Sequence, residues 1–83
     1  MSLPYELEHF SAAVRSARNA LGWSQKDLAG TIGVSMLTIS KLENGANPSA
    51  ATMLQLLRLF RENGIKFDWR EDGFHMETFA LAI

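Results

Sequence analysis

The sequence contains no cysteine, and this absence excludes several kinds of site at once. Without thiols the chain can form neither disulfides nor thiolate metal sites, and it has no cysteine nucleophile. It also lacks an apolar run approaching the roughly 20 residues of a membrane-spanning helix, and its first residues lack the basic-then-apolar pattern of a signal peptide. We therefore expect a soluble protein of the reducing cytoplasm that has no contact with membranes.

The two histidines give no indication of catalysis or metal binding. His9 has no partner histidine or cysteine at a ligand spacing, and neither His9 nor His75 has a nucleophile or carboxylate at a spacing typical of a catalytic pair. Ser24, Ser35 and Ser49 stand where helices are expected to begin, and we interpret them as helix caps. We expect no enzyme activity, no metal and no cofactor.

The formal net charge of −1 argues at first against nucleic acid, because phosphate contacts usually supply most of the affinity of DNA-binding proteins. The distribution of the charge argues the other way. Between His9 and Arg61 there are six basic residues and two acidic ones: Arg15, Arg18, Lys26, Lys41, Arg58 and Arg61, with Asp27 and Glu43. A basic middle with acidic ends fits one surface that faces DNA and a remainder that is turned away.

The segment Ser24–Gly45 contains two short helical patterns separated by a turn centred on glycine. Ser24 can cap the first helix, and Asp27, three residues later, can complete a capping box. Gly33 suits a backbone with positive φ, and Ser35 can cap the second helix. Longer helical patterns precede and follow this pair. We therefore predict four helices, of which the middle two form a helix-turn-helix.

Six positions in this segment follow a known pattern of glutamine, small residue, glycine, hydrophobic residue and two buried aliphatics: Gln25, Ala29, Gly33, Val34, Ile39 and Leu42. With the ending TISKLENG, they resemble the Cro/C1-type (XRE-like) helix-turn-helix family of phage and bacterial repressors, over about Phe10 to Asn63. The resemblance implies a mainly α, lambda-repressor-like domain that binds double-stranded DNA. The alternative is a two-helix corner in another kind of all-α domain.

The resemblance assigns DNA contacts to two sets of residues. Bases are expected to be read from the outward face of the second helix of the pair, by Met36, Leu37, Thr38, Ser40 and Lys41. Phosphates are expected at helix N-termini and their neighbours, where backbone N–H groups are free, through Gln25, Lys26, Ser35, Asn44, Asn47 and Ser49. Since apolar side chains can recognise a thymine methyl but make no bidentate pair, Lys41 to guanine is the leading polar contact. Alternatively, Met36 and Leu37 face protein, and most DNA contacts are to the backbone.

In this family an arginine of the first helix pairs with a glutamate near the end of the recognition helix. The matching residues are Arg18 and Glu43, so the resemblance implies an ion pair between them. Because desolvation offsets most of the Coulomb gain, we expect the pair to favour one packing of the helices more than to add net stability.

After the fourth helix the sequence departs from the commonest pattern of the family, in which a short fifth helix follows. Here the apolar residues alternate with polar ones, first at Phe67 and Trp69 and, after a turn, at Phe74 and Met76. This alternation predicts a hairpin in which Trp69 pairs with Phe74 and Phe67 with Met76. The predicted fold is therefore four helices followed by a C-terminal β-hairpin.

Chain length and the end of the sequence both indicate a homodimer. At 83 residues a single core is marginally stable, and a second subunit often helps. After the predicted hairpin the alternation restarts with no strand of its own chain left to pair with.

We expect residues 1–64 to form the DNA-binding domain. Residues 65–83 are expected to form a dimerisation element, together with an outer apolar face of the fourth helix. The expected interface residues are Phe67, Trp69, Phe74, Met76, Phe79, Leu81 and Ile83. The alternative is a tail that packs on its own domain or is disordered.

Two functions fit these patterns. The first is a sequence-specific transcriptional regulator, in the simplest case a repressor, which binds an inverted-repeat operator as a homodimer in the cytoplasm at the nucleoid. The second is an antitoxin-type interaction module whose main partner is a toxin protein and whose DNA binding is secondary. We take the regulator as the prediction.

Overall fold

The computed structural model describes residues 7–71 and 73–80, with side chains from residue 9 onward. These residues form four helices followed by two strands: α1 (Leu7–Ala20), α2 (Gln25–Ile32), α3 (Met36–Glu43), α4 (Ala50–Glu62), β1 (Ile65–Arg70) and β2 (Gly73–Thr78). The predicted fold class, four helices and a C-terminal hairpin, is confirmed. Within the described part of the chain, no helix is both long enough and apolar enough to cross a membrane.

Serine begins three of the four helices, as the sequence predicted. The hydroxyl of Ser24 accepts from the Asp27 backbone N–H, and the Asp27 carboxylate accepts from the Ser24 N–H, so the predicted capping box is present. Ser35 and Ser49 cap α3 and α4 in the same way, each through the backbone N–H three residues later. Gly33, with φ of 78°, ends α2 in the left-handed region that glycine adopts without strain. The sharp α2–α3 corner follows from these local choices.

The hydrophobic core takes apolar side chains from all four helices and from β1. Its largest fully buried members are Phe10, Val14, Leu28, Ile39, Leu56 and Phe60. On α1 the buried residues recur every three or four positions, so this helix lies with one stripe against the others. Ile65 at the start of β1 is also buried, which ties the hairpin to the helical core.

The two strands pair antiparallel in the predicted register, with Trp69 opposite Phe74 and Phe67 opposite Met76. These four side chains lie on one face of the hairpin, and that face is turned towards the helices. The ring of Trp69 lies 6.3 Å from that of Phe10, and the ring of Phe67 lies 6.3 Å from that of Phe60, measured between centroids. The hairpin therefore closes one side of the core, with β1 against α4 and β2 against α1.

The expected dimer residues are thus divided by the structure. Phe67, Trp69, Phe74 and Met76 contact their own domain and stay half-buried, so only their remaining surface is available to a second copy. Phe79 is 41% exposed. The last two expected interface residues, Leu81 and Ile83, lie outside the described residues.

Candidate nucleic-acid interface

One face of α3 is open to solvent and the other is buried. Ile39 and Leu42 lie in the core, while Met36 is 55% exposed and Leu37 is 60% exposed. The alternative in which Met36 and Leu37 face protein is therefore wrong for the single chain. Two leucine-sized apolar side chains on an open helix face are an unusual feature that the fold itself does not require.

The polar residues of this open face differ in whether their side chains or backbone already make hydrogen bonds within the protein. Lys41 is exposed and makes no side-chain hydrogen bond among the described residues. The Thr38 backbone N–H donates to Ser35 Oγ at 3.1 Å, and the two hydroxyl oxygens lie 2.9 Å apart, so both side chains belong to the helix cap. The Asn44 side-chain amide donates to the Ser40 carbonyl at 2.8 Å. Lys41 is consequently the long polar side chain best able to reach out from α3.

The N-terminus of α2 carries the features of an anion site and one opposing charge. The first N–H groups of a helix have no partner within the helix and carry the positive end of its dipole. Gln25 and Lys26 stand there, half-buried and exposed respectively. Asp27 is the opposing charge, and hydrogen bonds from the Ser24 backbone and hydroxyl hold the pKa of its carboxyl below the ordinary value, with nearby Lys26 adding to the effect. The side chains of Asn47 and Ser49, before α4, are also exposed.

The structure contains the Arg18–Glu43 ion pair that the resemblance implied. Arg18 Nε lies 2.7 Å from Glu43 Oε2, and Arg18 Nη2 lies 3.1 Å from Glu43 Oε1, so the pair is bidentate. Glu43 is only 3% exposed. Arg18 also donates to the Trp23 carbonyl at 2.9 Å, and hydrogen bonding to Glu43 raises the pKa of its guanidinium. This cation therefore joins α1, the loop after α1 and the end of α3.

Two further α1 side chains, neither of which was predicted from the sequence to do so, bind the C-terminal end of α3. Ser11 Oγ donates to the Leu42 carbonyl at 2.6 Å, and Arg15 Nη2 donates to the Glu43 carbonyl. The last carbonyls of a helix have no partner within it and carry the negative end of the dipole, so a hydroxyl and a cation suit them well. With Arg18, these residues form one stripe on α1 at positions 11, 15 and 18, which we call the α1 clamp.

The Glu43 carboxylate, which pairs with Arg18, also binds Gln25, the leading candidate for a phosphate contact. Its Nε2 donates to Glu43 Oε1 at 3.1 Å. Because only the amide nitrogen can donate to a carboxylate, this contact fixes which way the amide points. Among the described residues nothing else bonds to the Gln25 side chain, so its second N–H and its carbonyl oxygen are available to a ligand. Glu43 thereby links α1, α2 and α3 at the edge of the open face.

A signal for the α1 clamp was present in the sequence. Arg15 and Arg18 are three residues apart and Ser11 is four residues before Arg15, so all three lie on one face of a helix. In the sequence, Arg15 was interpreted only as part of the charge of the basic middle. That pattern does not show that these side chains bind the C-terminal end of another helix, α3.

Within residues 7–71 and 73–80, no group of three or more histidine, cysteine, aspartate or glutamate side chains is placed to hold a metal ion. The open face of α3, the N-termini of α2 and α4 and the cations beside them form one candidate surface, and such a surface suits a polyanion with exposed apolar groups.

Comparison with protein families gives a match over most of the helical part of the chain. The model of a helix-turn-helix family matches residues 14–65, which is more than half of the chain. The matched range includes α2, α3 and α4 and stops at the first residue of β1, so nearly all of the hairpin lies beyond it. Neither curated proteins nor solved structures give a match.

Proposed function

This chain belongs to the helix-turn-helix family of the Cro/C1 type, whose members are DNA-binding transcriptional regulators, and we propose that it is a repressor that binds an inverted-repeat operator as a homodimer. The observation that carries this proposal is the open face of α3, where Met36, Leu37 and Lys41 project from a helix whose other face is buried. A helix presented in this way enters the major groove with its side chains against base edges.

The chemistry of these three side chains limits what they can read. The ammonium group of Lys41 can donate to O6 and N7 of guanine, while Met36 and Leu37 can only make apolar contact, which in the major groove means the thymine methyl. Thr38 and Ser40 stand beside them; the Thr38 hydroxyl is already engaged with Ser35 in the helix cap, while only the backbone carbonyl of Ser40 is engaged, with the Asn44 amide. We therefore propose a half-site that combines a guanine with adjacent A·T pairs.

Selection of bound sequences from a randomised DNA library tests this reading. We expect the enriched sites to be inverted repeats whose two half-sites have centres about 34 Å apart. Each half-site should contain one guanine and neighbouring A·T pairs. Lys41→Ala is expected to lose about 1–3 kcal/mol of discrimination at the guanine alone. Lys66→Ala removes an exposed lysine of β1 instead and serves as the matched control.

Two results of the selection contradict the proposal. Enrichment of no sequence at all means that the chain is not a sequence-specific regulator. A selected site without A·T preference near the guanine means that Met36 and Leu37 do not recognise thymine methyl groups.

Phosphate contacts are proposed at Gln25, Lys26, Ser35, Asn44, Asn47 and Ser49, with Gln25 as the leading residue. Gln25→Ala removes the free amide N–H that can donate to a phosphate, so it should weaken binding to operator and unrelated DNA by the same factor. Titrations on both DNAs by fluorescence anisotropy measure this. A change in the ratio of the two affinities would instead make Gln25 a base reader.

Since Gln25 also bonds to Glu43, its replacement needs a structural control. Gln55→Ala serves, because Gln55 likewise donates from its side chain to another helix, to the Ile32 carbonyl at 3.2 Å, but belongs to α4. If both variants weaken DNA binding equally, the effect is on folding and the phosphate assignment is wrong.

As a regulator, the protein would act at the nucleoid in the cytoplasm.

A further inference from the structure

Two large apolar side chains stand next to each other at the exposed start of α3. Met36 is the first residue of this helix and Leu37 is the second, and we call them the apolar pair. Four large apolar side chains are exposed in the part of the chain that the structure describes, and these are two of them. Consecutive residues of a helix point about 100° apart, so the pair covers a broad arc of the first turn. That turn is the part of a recognition helix that contacts base edges.

The polar side chains at the start of α3 are bonded to each other. The hydroxyl oxygens of Ser35 and Thr38 lie 2.9 Å apart and share a hydrogen bond, and Ser35 Oγ also accepts from the Thr38 backbone N–H at 3.1 Å. Lys41 follows Leu37 by one turn and lies on the same side of the helix. A base edge that meets the first turn therefore meets mainly apolar surface, and the nearest long polar side chain lies one turn further on.

The charge around the apolar pair favours duplex DNA as the partner that covers it. Lys41 is exposed on the same helix, and neither α3 nor α4 has an acidic residue in its first turn. The positive ends of both helix dipoles are therefore not neutralised by a nearby carboxylate. Of the nearby acidic side chains, Glu43 is paired with Arg18, and Asp27 is held in the capping box of α2. A polyanion can thus approach this face and bring its apolar groups against the pair.

The chemistry of the major groove limits what the apolar pair can recognise. The methyl group on C5 of thymine is the apolar group that an unmodified base pair presents there. An apolar side chain placed against the polar part of a base edge removes water from hydrogen-bonding groups without replacing it, which costs free energy. Met36 and Leu37 therefore favour a C5-methyl group over the other features of the groove.

The same methyl group occurs on cytosine after modification. 5-Methylcytosine carries it on C5, the ring position that thymine uses, so the two methyl groups occupy the same place in the groove. The two bases differ at C4, where thymine has an oxygen that accepts and cytosine has an amino group that donates. Leucine has no hydrogen-bonding group and the methionine thioether is only a weak acceptor, so the apolar pair distinguishes these bases poorly.

We propose that the start of α3 recognises the C5-methyl group of a pyrimidine in duplex DNA, whether the pyrimidine is thymine or 5-methylcytosine. This inference rests on the proposed function and adds a second class of target, cytosine-methylated sites, to the same face. Methylation of a cytosine that faces Met36 or Leu37 turns a poor site into a good one. Cytosine methylation therefore regulates which sites the protein occupies.

Two randomised duplex DNA libraries that differ only in methylation test the proposal. One contains cytosine, and the other contains 5-methylcytosine at every cytosine position. From the first library we expect sites with A·T pairs beside the guanine. From the second we expect A·T pairs and pairs of guanine with 5-methylcytosine at these positions in comparable numbers. A requirement for A·T pairs in both libraries overturns the proposal, because thymine would then be recognised by more than its methyl group.

Binding to single duplexes of the selected site measures the contribution of the methyl group. Deoxyuridine in place of thymidine removes the methyl group and leaves every hydrogen-bonding group unchanged, and 5-methylcytosine against cytosine at the same position is the reverse comparison. Each methyl group should change Kd about fourfold, which corresponds to the roughly 0.8 kcal/mol of one buried methylene-sized group. Equal binding in either comparison overturns the proposal.

Leu37→Ala and Met36→Ala show whether the protein side chains cause the effect. Both positions are exposed, so both variants should stay folded, which circular dichroism checks. Each variant should lose most of the fourfold ratio at one pyrimidine position. Leu54→Ala is the matched control, because it removes an exposed leucine of α4 and should keep the wild-type ratio. If both α3 variants also keep the ratio, the methyl group acts through DNA shape and the proposal is wrong.

The same measurements separate this inference from the proposed function. If neither library yields an enriched sequence, the proposed function is wrong and the inference fails with it. If a sequence is enriched but binds equally well with uracil and with thymine, only the inference fails.

Discussion

Replacing Arg18 with methionine should lower the free energy of unfolding by about 3–5 kcal/mol. The substitution leaves the Glu43 carboxylate buried with Gln25 as its remaining side-chain donor. It also removes the hydrogen bond to the Trp23 carbonyl. For a chain of this size the whole stability is of the order of 4–12 kcal/mol, so the variant should be largely unfolded at moderate denaturant concentrations. Urea unfolding followed by circular dichroism, at fixed protein concentration, measures the change.

A double variant shows whether the unpaired charge is the cause. Arg18→Met with Glu43→Leu should recover much of the lost stability, because replacing a whole buried pair by apolar residues is often nearly neutral. Lys66→Met is the matched control, since Lys66 and Glu77 pair at 3.5 Å with both side chains more than half exposed. That pair is worth less than about 1 kcal/mol. If the double variant is less stable than Arg18→Met alone, the explanation through an unpaired carboxylate is wrong.

Replacing Phe60 with alanine should cost a similar amount, about 3–5 kcal/mol, through the cavity that it leaves. Phe60 is fully buried and its ring meets that of Phe67 edge-on. It therefore lies where α4, the core and the hairpin meet. The same urea experiment measures the loss. In a Trp23→Phe background, which leaves Trp69 as the single tryptophan of the sequence, the fluorescence of this neighbour of Phe67 reports whether the hairpin loosens as well.

Leu54→Ala is the matched control for Phe60→Ala on the same helix. Leu54 is mostly exposed, so its loss should change the stability of the monomer by no more than about 0.5 kcal/mol. Equal effects of the two substitutions would mean that Phe60 is not part of the core. The comparison is made at a protein concentration at which sedimentation shows a monomer, because the exposed Leu54 side chain could also contact a second copy.

The local parts of this fold could be predicted because neighbouring residues determine them. Serine caps at Ser24, Ser35 and Ser49 depend on hydrogen bonds that reach only three residues along the chain. The hairpin register follows from the alternation of apolar residues on either side of a short turn, since a shift of one residue would turn Phe67 and Trp69 away from the core.

What could not be predicted depends on how separate elements meet. The sequence gives Ser11 and Arg15 a common helix face, but that their partners are the last carbonyls of α3 follows only from how the two helices pack. Gln25 was correctly placed at the start of α2, while its bond to Glu43 spans 18 residues and has no local signal. A groove between α4 and β1, lined by Leu54 and Leu57 from the helix and Phe67 and Trp69 from the strand, likewise appears only when the hairpin is folded onto the helices.

The residues that fix α3 in the domain are different from the residues that α3 exposes to solvent. The α1 clamp, Ile39 and Leu42 fix the position of the helix without using any of the outward-facing side chains. Met36, Leu37 and Lys41 can therefore be varied together at little cost in stability, as surface positions usually allow. Under the base contacts proposed above, the same scaffold could acquire a new operator preference by drift at a few codons, and a library randomised at those positions is a practical route to regulators with chosen targets.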